Sequence, residues 1–182
     1  MRVITFTNQK GGVGKTTSAV NLAAGLVQLG RRVLLIDIDS QANATSTFLR
    51  EREIKASLYD ALVSDVVDPD RCIYQVRSKL WLMPAKMKLA KAQSLIGDTT
   101  TALRDVIDEL PRRFDTVVID SPPSAGPLFL NAIGGADEVI IPVKMGFKDA
   151  HMGFQVKCGT MIVLKNSSIT VLRLCAHSNM VT

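Results

Sequence analysis

Eight residues near the N-terminus, Lys10-Gly11-Gly12-Val13-Gly14-Lys15-Thr16-Thr17, constrain the fold more than any other part of the sequence. They stand between an alternating β-branched run, Arg2 to Thr7, and a stretch from Lys15 to Leu29 with a broad apolar face. A glycine-rich turn from strand into helix lets backbone N–H groups converge on phosphate oxygens, with the positive end of the helix behind them. In that setting Lys15 can reach the β- and γ-phosphates of a nucleotide, and Thr16 can offer its hydroxyl to Mg2+. Gly11, Gly12, Val13, Gly14 and Thr17 complete the expected cradle. The match to G-x-x-x-x-G-K-[ST] departs in two ways: Gln9 occupies the first glycine position, and a second lysine, Lys10, sits inside the loop.

Downstream, short aliphatic runs alternate with helical stretches, the pattern of a parallel sheet covered on both faces. Arg32 to Asp37, Lys79 to Pro84, Phe114 to Asp120, Glu138 to Val143 and Ile169 to Cys175 read as strands. Helices are expected at Thr45 to Arg50, Ser57 to Val63, Ala85 to Ile96, Thr99 to Leu110, Pro127 to Ile133 and Ala150 to Leu164. Gly30 is placed to close the first helix. The expectation is one α/β domain over residues 1–182, doubly wound around a mostly parallel β-sheet. Strand ends in such sheets face the ligand crevice, which draws attention to Asp37, Asp39 and Asp120. Asp120, after four apolar β-formers, is the expected Mg2+ residue with Asp37 beside it; Asp39, at the strand-to-loop exit, suits the orienting of an attacking water.

Other features narrow the function class. No apolar run reaches the ~18 residues of a membrane span, and MRVITFTNQ is not built as a leader, so a cytoplasmic protein is expected. Cys72, Cys158 and Cys175 are scattered and read as free thiols; His151 and His177 lack ligand-spaced neighbours. Trp81 reads as a packing residue, and Lys86, Lys88 and Lys91 as one solvated face. The net charge is +5, and after Asp149 no acidic residue follows while Lys157, Lys165 and Arg173 do. A basic tail on a nucleotide-binding domain leaves room for DNA as a partner.

Three segments carry a family resemblance: KGGVGKTT at 10–17, DIDSQANATS at 37–46 and DSPPSAGPLFLNAI at 120–133, with VIIPVK at 139–144 as the next strand. Together they resemble ParA-type partition ATPases of the deviant Walker A P-loop group, which also holds MinD-like proteins. The resemblance implies ATP and Mg2+ as cofactors and an ATP-dependent homodimer in which Lys10 reaches the partner's phosphates. It also implies Lys10, Lys15 and Asp39 as catalytic residues, Gly12 near the dimer axis, non-specific DNA binding on the nucleoid, and a ParB-like centromere-binding protein that stimulates slow hydrolysis. Ser40 replaces the family's usual proline, and residues 146–153 match only loosely. The chain stops where family members continue for tens of residues, so it is expected to be C-terminally truncated relative to them. Two other readings stay open: a MinD-like, membrane-associated spatial regulator, and a non-catalytic truncated paralogue that dimerises with a full-length relative. No membrane partner is expected, since the C-terminal amphipathic helix of MinD-like proteins has no counterpart here.

Overall fold

The computed structural model describes residues 1–64, 66–111 and 113–143 in full, and the backbone alone at 144, 158–165 and 168–175. Its eight strands form one sheet. They are β1 (Arg2–Phe6), β2 (Val33–Asp37), β3 (Tyr74–Arg77), β4 (Leu80–Met83), β5 (Thr116–Asp120), β6 (Glu138–Lys144), β7 (Cys158–Lys165) and β8 (Ser168–Cys175). The spatial order is β3-β4-β2-β5-β1-β6-β7-β8. The inner five, β4-β2-β5-β1-β6, pair parallel, while β3, β7 and β8 join antiparallel at the two sides. A doubly wound, mostly parallel α/β sheet is therefore what the sequence specifies.

The buried runs explain the order. β2 and β5 are buried along their whole length, as strands with neighbours on both edges and helices on both faces must be. Helix α1 (Lys15–Gln28) lies on one face, where Ala19 and Ala23 pack with Ile4, Phe6, Leu35 and Val118. Those two alanines let the helix approach the sheet closely. Its C-terminus is closed by Gly30 at φ 84°, with Gly30 N–H donating to the Val27 carbonyl and Arg31 N–H to that of Leu26.

The opposite face carries α3 (Leu58–Val63), α4 (Ala92–Ile96), α5 (Ala102–Glu109) and α6 (Pro127–Gly134), packed around Leu34, Ile36, Val117 and Ile119. Trp81 is a packing residue, edge-on to Phe114 with ring centroids 5.4 Å apart. Cys72 is a buried free thiol, its pKa pushed up to about 11 chiefly by burial. The side chains of Cys158 and Cys175, together with His151, His177 and the basic residues Lys157, Lys165 and Arg173, lie outside what is described. The lysine face is only partly free: Lys88 bridges Asp60, and Lys86 Nζ donates to the Ile54 carbonyl at 3.0 Å.

Asn131 on α6 ties that layer together. It is fully buried; its Oδ1 accepts from Leu103 N–H at 3.1 Å, and its Nδ2 donates to the carbonyls of Thr99 at 2.6 Å and Pro127 at 2.9 Å. Asn131→Leu leaves the Leu103 N–H and the Thr99 carbonyl without this partner in an apolar layer, at about 1–3 kcal/mol for a buried group left unpaired. A loss of about 2–4 kcal/mol is expected as a lower urea midpoint at unchanged slope.

Several elements differ from the sequence reading, among them the helix expected over Ala85 to Ile96, which is a 3-10 turn at Met87–Lys91 followed by α4. The helix expected over Ala150 to Leu164 is, from Cys158 onward, strand β7; residues 150–157 lie outside the described ones. The run Met161-Ile162-Val163-Leu164 is a strand former, and it pairs with both β6 and β8, so sheet pairing overrides a weak helical period. Strand β3 was not anticipated. It is a half-exposed edge with a bulge between Gln75 and Arg77, and its sequence YQVR alternates over only four residues.

Candidate functional site

The strand ends converge beneath the glycine-rich loop. Parallel register sets Asp120 level with Phe6 on one side and with Asp37 on the other. Phe6 packs on the α1 side of the sheet, so Asp120 and Asp37 share that side with the loop and the first turn of α1. The loop backbone shows why glycine is needed. Gly12 and Gly14 have φ of 70° and 90°, and Gly14 caps α1 in the left-handed region. Within one chain a Cβ on either would meet no atom within 4 Å, so backbone conformation and not crowding sets the requirement. Helix α1 has no side-chain cap and no acidic residue in its first turn, which leaves its N-terminal N–H groups and positive dipole end for an anion.

An open cleft of about 440 Å³ is lined by Gly12, Gly14, Lys15, Thr16, Thr17, Asp39, Asn43 and Pro123. Asn43 and Pro123 had no role assigned from sequence, although both lie inside the quoted segments. Lys10, Gly11 and Val13 do not line it, and Lys10 is exposed. The Lys10 backbone is held by the Asn8 side chain, whose Nδ2 donates to the Pro142 carbonyl at 2.8 Å, fixing the loop to β6. Lys15 is buried, its Nζ 3.4 Å from the Lys10 carbonyl. Burial lowers the Lys15 pKa, while the charges of Asp120 and Asp39 push it back up.

The three aspartates differ sharply in environment. Asp120 is fully buried, and no donor meets either carboxylate oxygen with hydrogen-bond geometry. Burial pushes its pKa up to about 7, helped by Asp37 and Asp39 and opposed by the nearby Thr16 hydroxyl and the Lys15 charge. Asp37 is also fully buried but well supplied with donors: Oδ1 accepts from Asp39 N–H at 3.1 Å, and Oδ2 from the Thr45 N–H and hydroxyl, both at 2.7 Å. Its pKa rises to about 6, burial outweighing those bonds. Asp37, like Asp120, is not among the residues that line the cleft; its hydrogen bonds tie it to the turn that follows β2. Asp39 does line it; Oδ1 accepts from Gln41 N–H at 2.9 Å. Helix α2 (Asn43–Ser46) starts two residues before the expected Thr45, because Ala42 adopts φ 54° and turns the chain there. A non-glycine residue in that region costs about 1 kcal/mol, which the surrounding hydrogen bonds must offset.

An unpartnered buried carboxylate beside a threonine hydroxyl is a donor set suited to a hard divalent cation. Among the described residues no three of His, Cys, Asp or Glu gather as a metal cluster. A site with one carboxylate and one hydroxyl fits Mg2+, which keeps most of its waters and leans on substrate phosphates.

The orphaned Asp120 also sets a pH dependence. Its folded pKa lies above its unfolded value of 3.8, so from about pH 4 to 7 the folded chain holds a proton that the unfolded chain has released. Stability from this group is therefore greatest in acid, falls as pH rises through that window, and levels off above about 7. Asp120→Asn cannot titrate. In metal-free buffer, wild type should lose more Tm than Asp120→Asn between about pH 5 and about pH 8. Equal losses would show that Asp120 titrates as an ordinary carboxylate.

Comparison with known proteins shows which family the chain resembles. The model of a family described as "AAA domain" matches residues 1–169. The sporulation initiation inhibitor protein Soj of Bacillus subtilis is 40% identical over 147 residues, 79% of this chain and 58% of that protein. The chromosome-partitioning ATPase Soj of Thermus thermophilus is 41% identical over 146 residues, 79% and 55% of the two chains. Among solved structures, cobyrinic acid a,c-diamide synthase from Mycobacterium smegmatis with bound ATP analogue and magnesium superposes with TM-score 0.74 at 36% identity, covering 79% of this chain and 60% of that one. A plasmid partition protein from Borrelia burgdorferi gives TM-score 0.70 at 33% identity, covering 80% and 67%. The chain thus spans somewhat over half the length of the curated relatives it matches.

Proposed function

Since the chain belongs to the ParA/Soj-type P-loop ATPase family, we propose that it is an ATP-dependent partition switch. In this reading it dimerises on ATP, binds DNA without sequence preference and acts with a ParB-like centromere-binding protein to segregate plasmid or chromosomal DNA. The observation that carries the reading is the gathering of Lys15, Thr16 and Asp39 on one cleft at the end of a parallel sheet, with the buried Asp120 carboxylate close enough to act on both Thr16 and Lys15.

The roles follow from position. The Gly12–Thr17 backbone and the uncapped start of α1 bind and orient the phosphates. Lys15 neutralises β- and γ-oxygens as a compact charge on a flexible stem. Thr16 and Asp120 would hold Mg2+, which would supply charge neutralisation for the phosphates. Asp39 is placed to hold and orient the attacking water. Lys10, exposed and outside its own cleft, is free to reach the phosphates of a second chain and to stabilise transition-state charge there, as an arginine finger does. Gly12, with open space over its Cα in one chain, leaves room for the partner's loop.

The DNA contact rests on a net charge of +5 and on the basic residues Lys157, Lys165 and Arg173. If phosphate contacts supply it, affinity falls steeply with salt, and replacing the three by alanine weakens binding equally on all sequences. No described helix is long and apolar enough to cross a membrane. A cytoplasmic, nucleoid-associated location follows from this reading.

The test is ATP turnover by the chain with Mg2+, alone and with double-stranded DNA plus a ParB-like protein. Slow basal hydrolysis that both additions raise supports the reading. ATP-dependent sedimentation with liposomes and no response to DNA would instead favour a MinD-like membrane regulator. Binding without turnover would favour a non-catalytic paralogue.

A further inference from the structure

Asp39 sits on the short turn between β2 and α2, where Ile38 N–H donates to the Asp120 carbonyl at 3.0 Å. Residues 38–42 leave β2, Ala42 is in the left-handed region, and α2 has only four residues, too few to be stable alone. What fixes this segment is a buried chain of hydrogen bonds. The Asp37 carboxylate takes Asp39 N–H on one oxygen and the Thr45 N–H and hydroxyl on the other. The Thr45 oxygen in turn accepts from Ala85 N–H at 2.9 Å, just beyond β4. The Asp39 carbonyl closes the turn by accepting from Ala42 N–H at 2.9 Å. One threonine hydroxyl therefore links the β2 end, the Asp39 loop, α2 and the β4 exit, forty residues apart in sequence.

We propose that Thr45, acting through Asp37, is a positioning residue for Asp39: the pair holds the loop so that the Asp39 carboxylate faces the cleft in one orientation. This rests on the reading of Asp39 as the group that orients water. Neither Asp37 nor Thr45 lines the cleft, and both are bonded to the turn that carries Asp39. The hydroxyl is required because it donates and accepts at once. Valine has nearly the same shape but does neither, leaving Ala85 N–H unpaired and Asp37 with one donor fewer. Serine keeps both bonds.

The experiment compares wild type, Thr45→Val and Thr45→Ser by steady-state ATP hydrolysis and by hydrogen exchange without nucleotide. Thr45→Val should lower kcat by about 10- to 100-fold, the scale of a misplaced catalytic group, while KM for ATP changes less than about twofold. Thr45→Ser should recover most of the loss. Amides of residues 39–45 should exchange faster in Thr45→Val, with β1 and β5 unchanged. An unchanged kcat, an equal loss in Thr45→Ser, or a KM that rises with the fall in kcat would overturn the proposal. If wild type showed no turnover, the ATPase reading would fail by itself. The exchange comparison would still decide on the clamp, since equal protection in wild type and Thr45→Val would overturn it. Should Thr45→Val not fold, Asp37→Asn replaces it, because its amide cannot accept from Asp39 N–H and Thr45 together in the same way.

Discussion

Lys15→Ala is expected to abolish measurable ATP turnover while the chain remains folded. Lys15 is buried and lines the cleft, and its Nζ donates to the Lys10 carbonyl at 3.4 Å. Its charge lies in the field of Asp120 and Asp39, both of which raise its pKa. Removing it takes away the cation that lines the cleft beside Asp39 and that offsets the buried Asp120 charge. A preorganised charge aimed at developing phosphate charge is worth about 10²–10³ in rate even when it is one of several, and here it also serves binding. The expected loss in kcat/KM is therefore about 10³-fold or more. Stability should stay within about 1 kcal/mol of wild type, because burying this ammonium already carries a desolvation cost that the alanine avoids. Phosphate release and a urea melt on one preparation check both statements. A folded variant with near-normal turnover would place the chemistry elsewhere.

Lys10→Ala is expected to separate binding from hydrolysis. Lys10 is exposed and absent from its own cleft, so one chain should bind ATP about as well without it, within roughly threefold. Turnover and ATP-dependent dimerisation should both collapse, because the lysine's target is a second chain. A finger supplied in trans is worth about 10³–10⁵ in rate, and a loss in that range is expected. Equilibrium binding of a fluorescent ATP analogue, beside turnover and molecular mass in solution, reads all three. A Lys10→Ala chain that still dimerises on ATP would remove the trans-lysine mechanism and leave Lys10 as a solvated loop charge.

What the sequence made legible is what local chemistry dictates. The loop from Lys10 to Thr17 was readable because a strand, a glycine turn and a helix sit within thirty residues, and Gly30 marks the helix end by its own backbone freedom. The central strands were readable because residues buried on both faces are apolar throughout. That Asp37 and Asp120 end strands at the same edge of the sheet also followed from parallel order, although their level register did not. Contacts set by distant residues were less legible. Thr45 stands inside a quoted segment, but its work depends on Ala85, which no spacing rule connects to it. The division among the aspartates was hidden for the same reason: Asp37 takes three donors while Asp120 faces little besides the Thr16 hydroxyl, and no local pattern tells them apart. Strand β7 was misread because eight residues of mixed character take their form from β6 and β8 on either side.

The shared-site mechanism is tested most directly by ATP turnover per chain as a function of chain concentration, at saturating Mg-ATP. If Lys10 completes a partner's site, turnover per chain rises with concentration and levels off as dimers fill. Adding excess Lys10→Ala chains to dilute wild type would then leave at most one working site in each mixed dimer. Turnover per chain that stays constant across the whole range, and is indifferent to the added variant, would contradict the shared site and return all the chemistry to a single cleft.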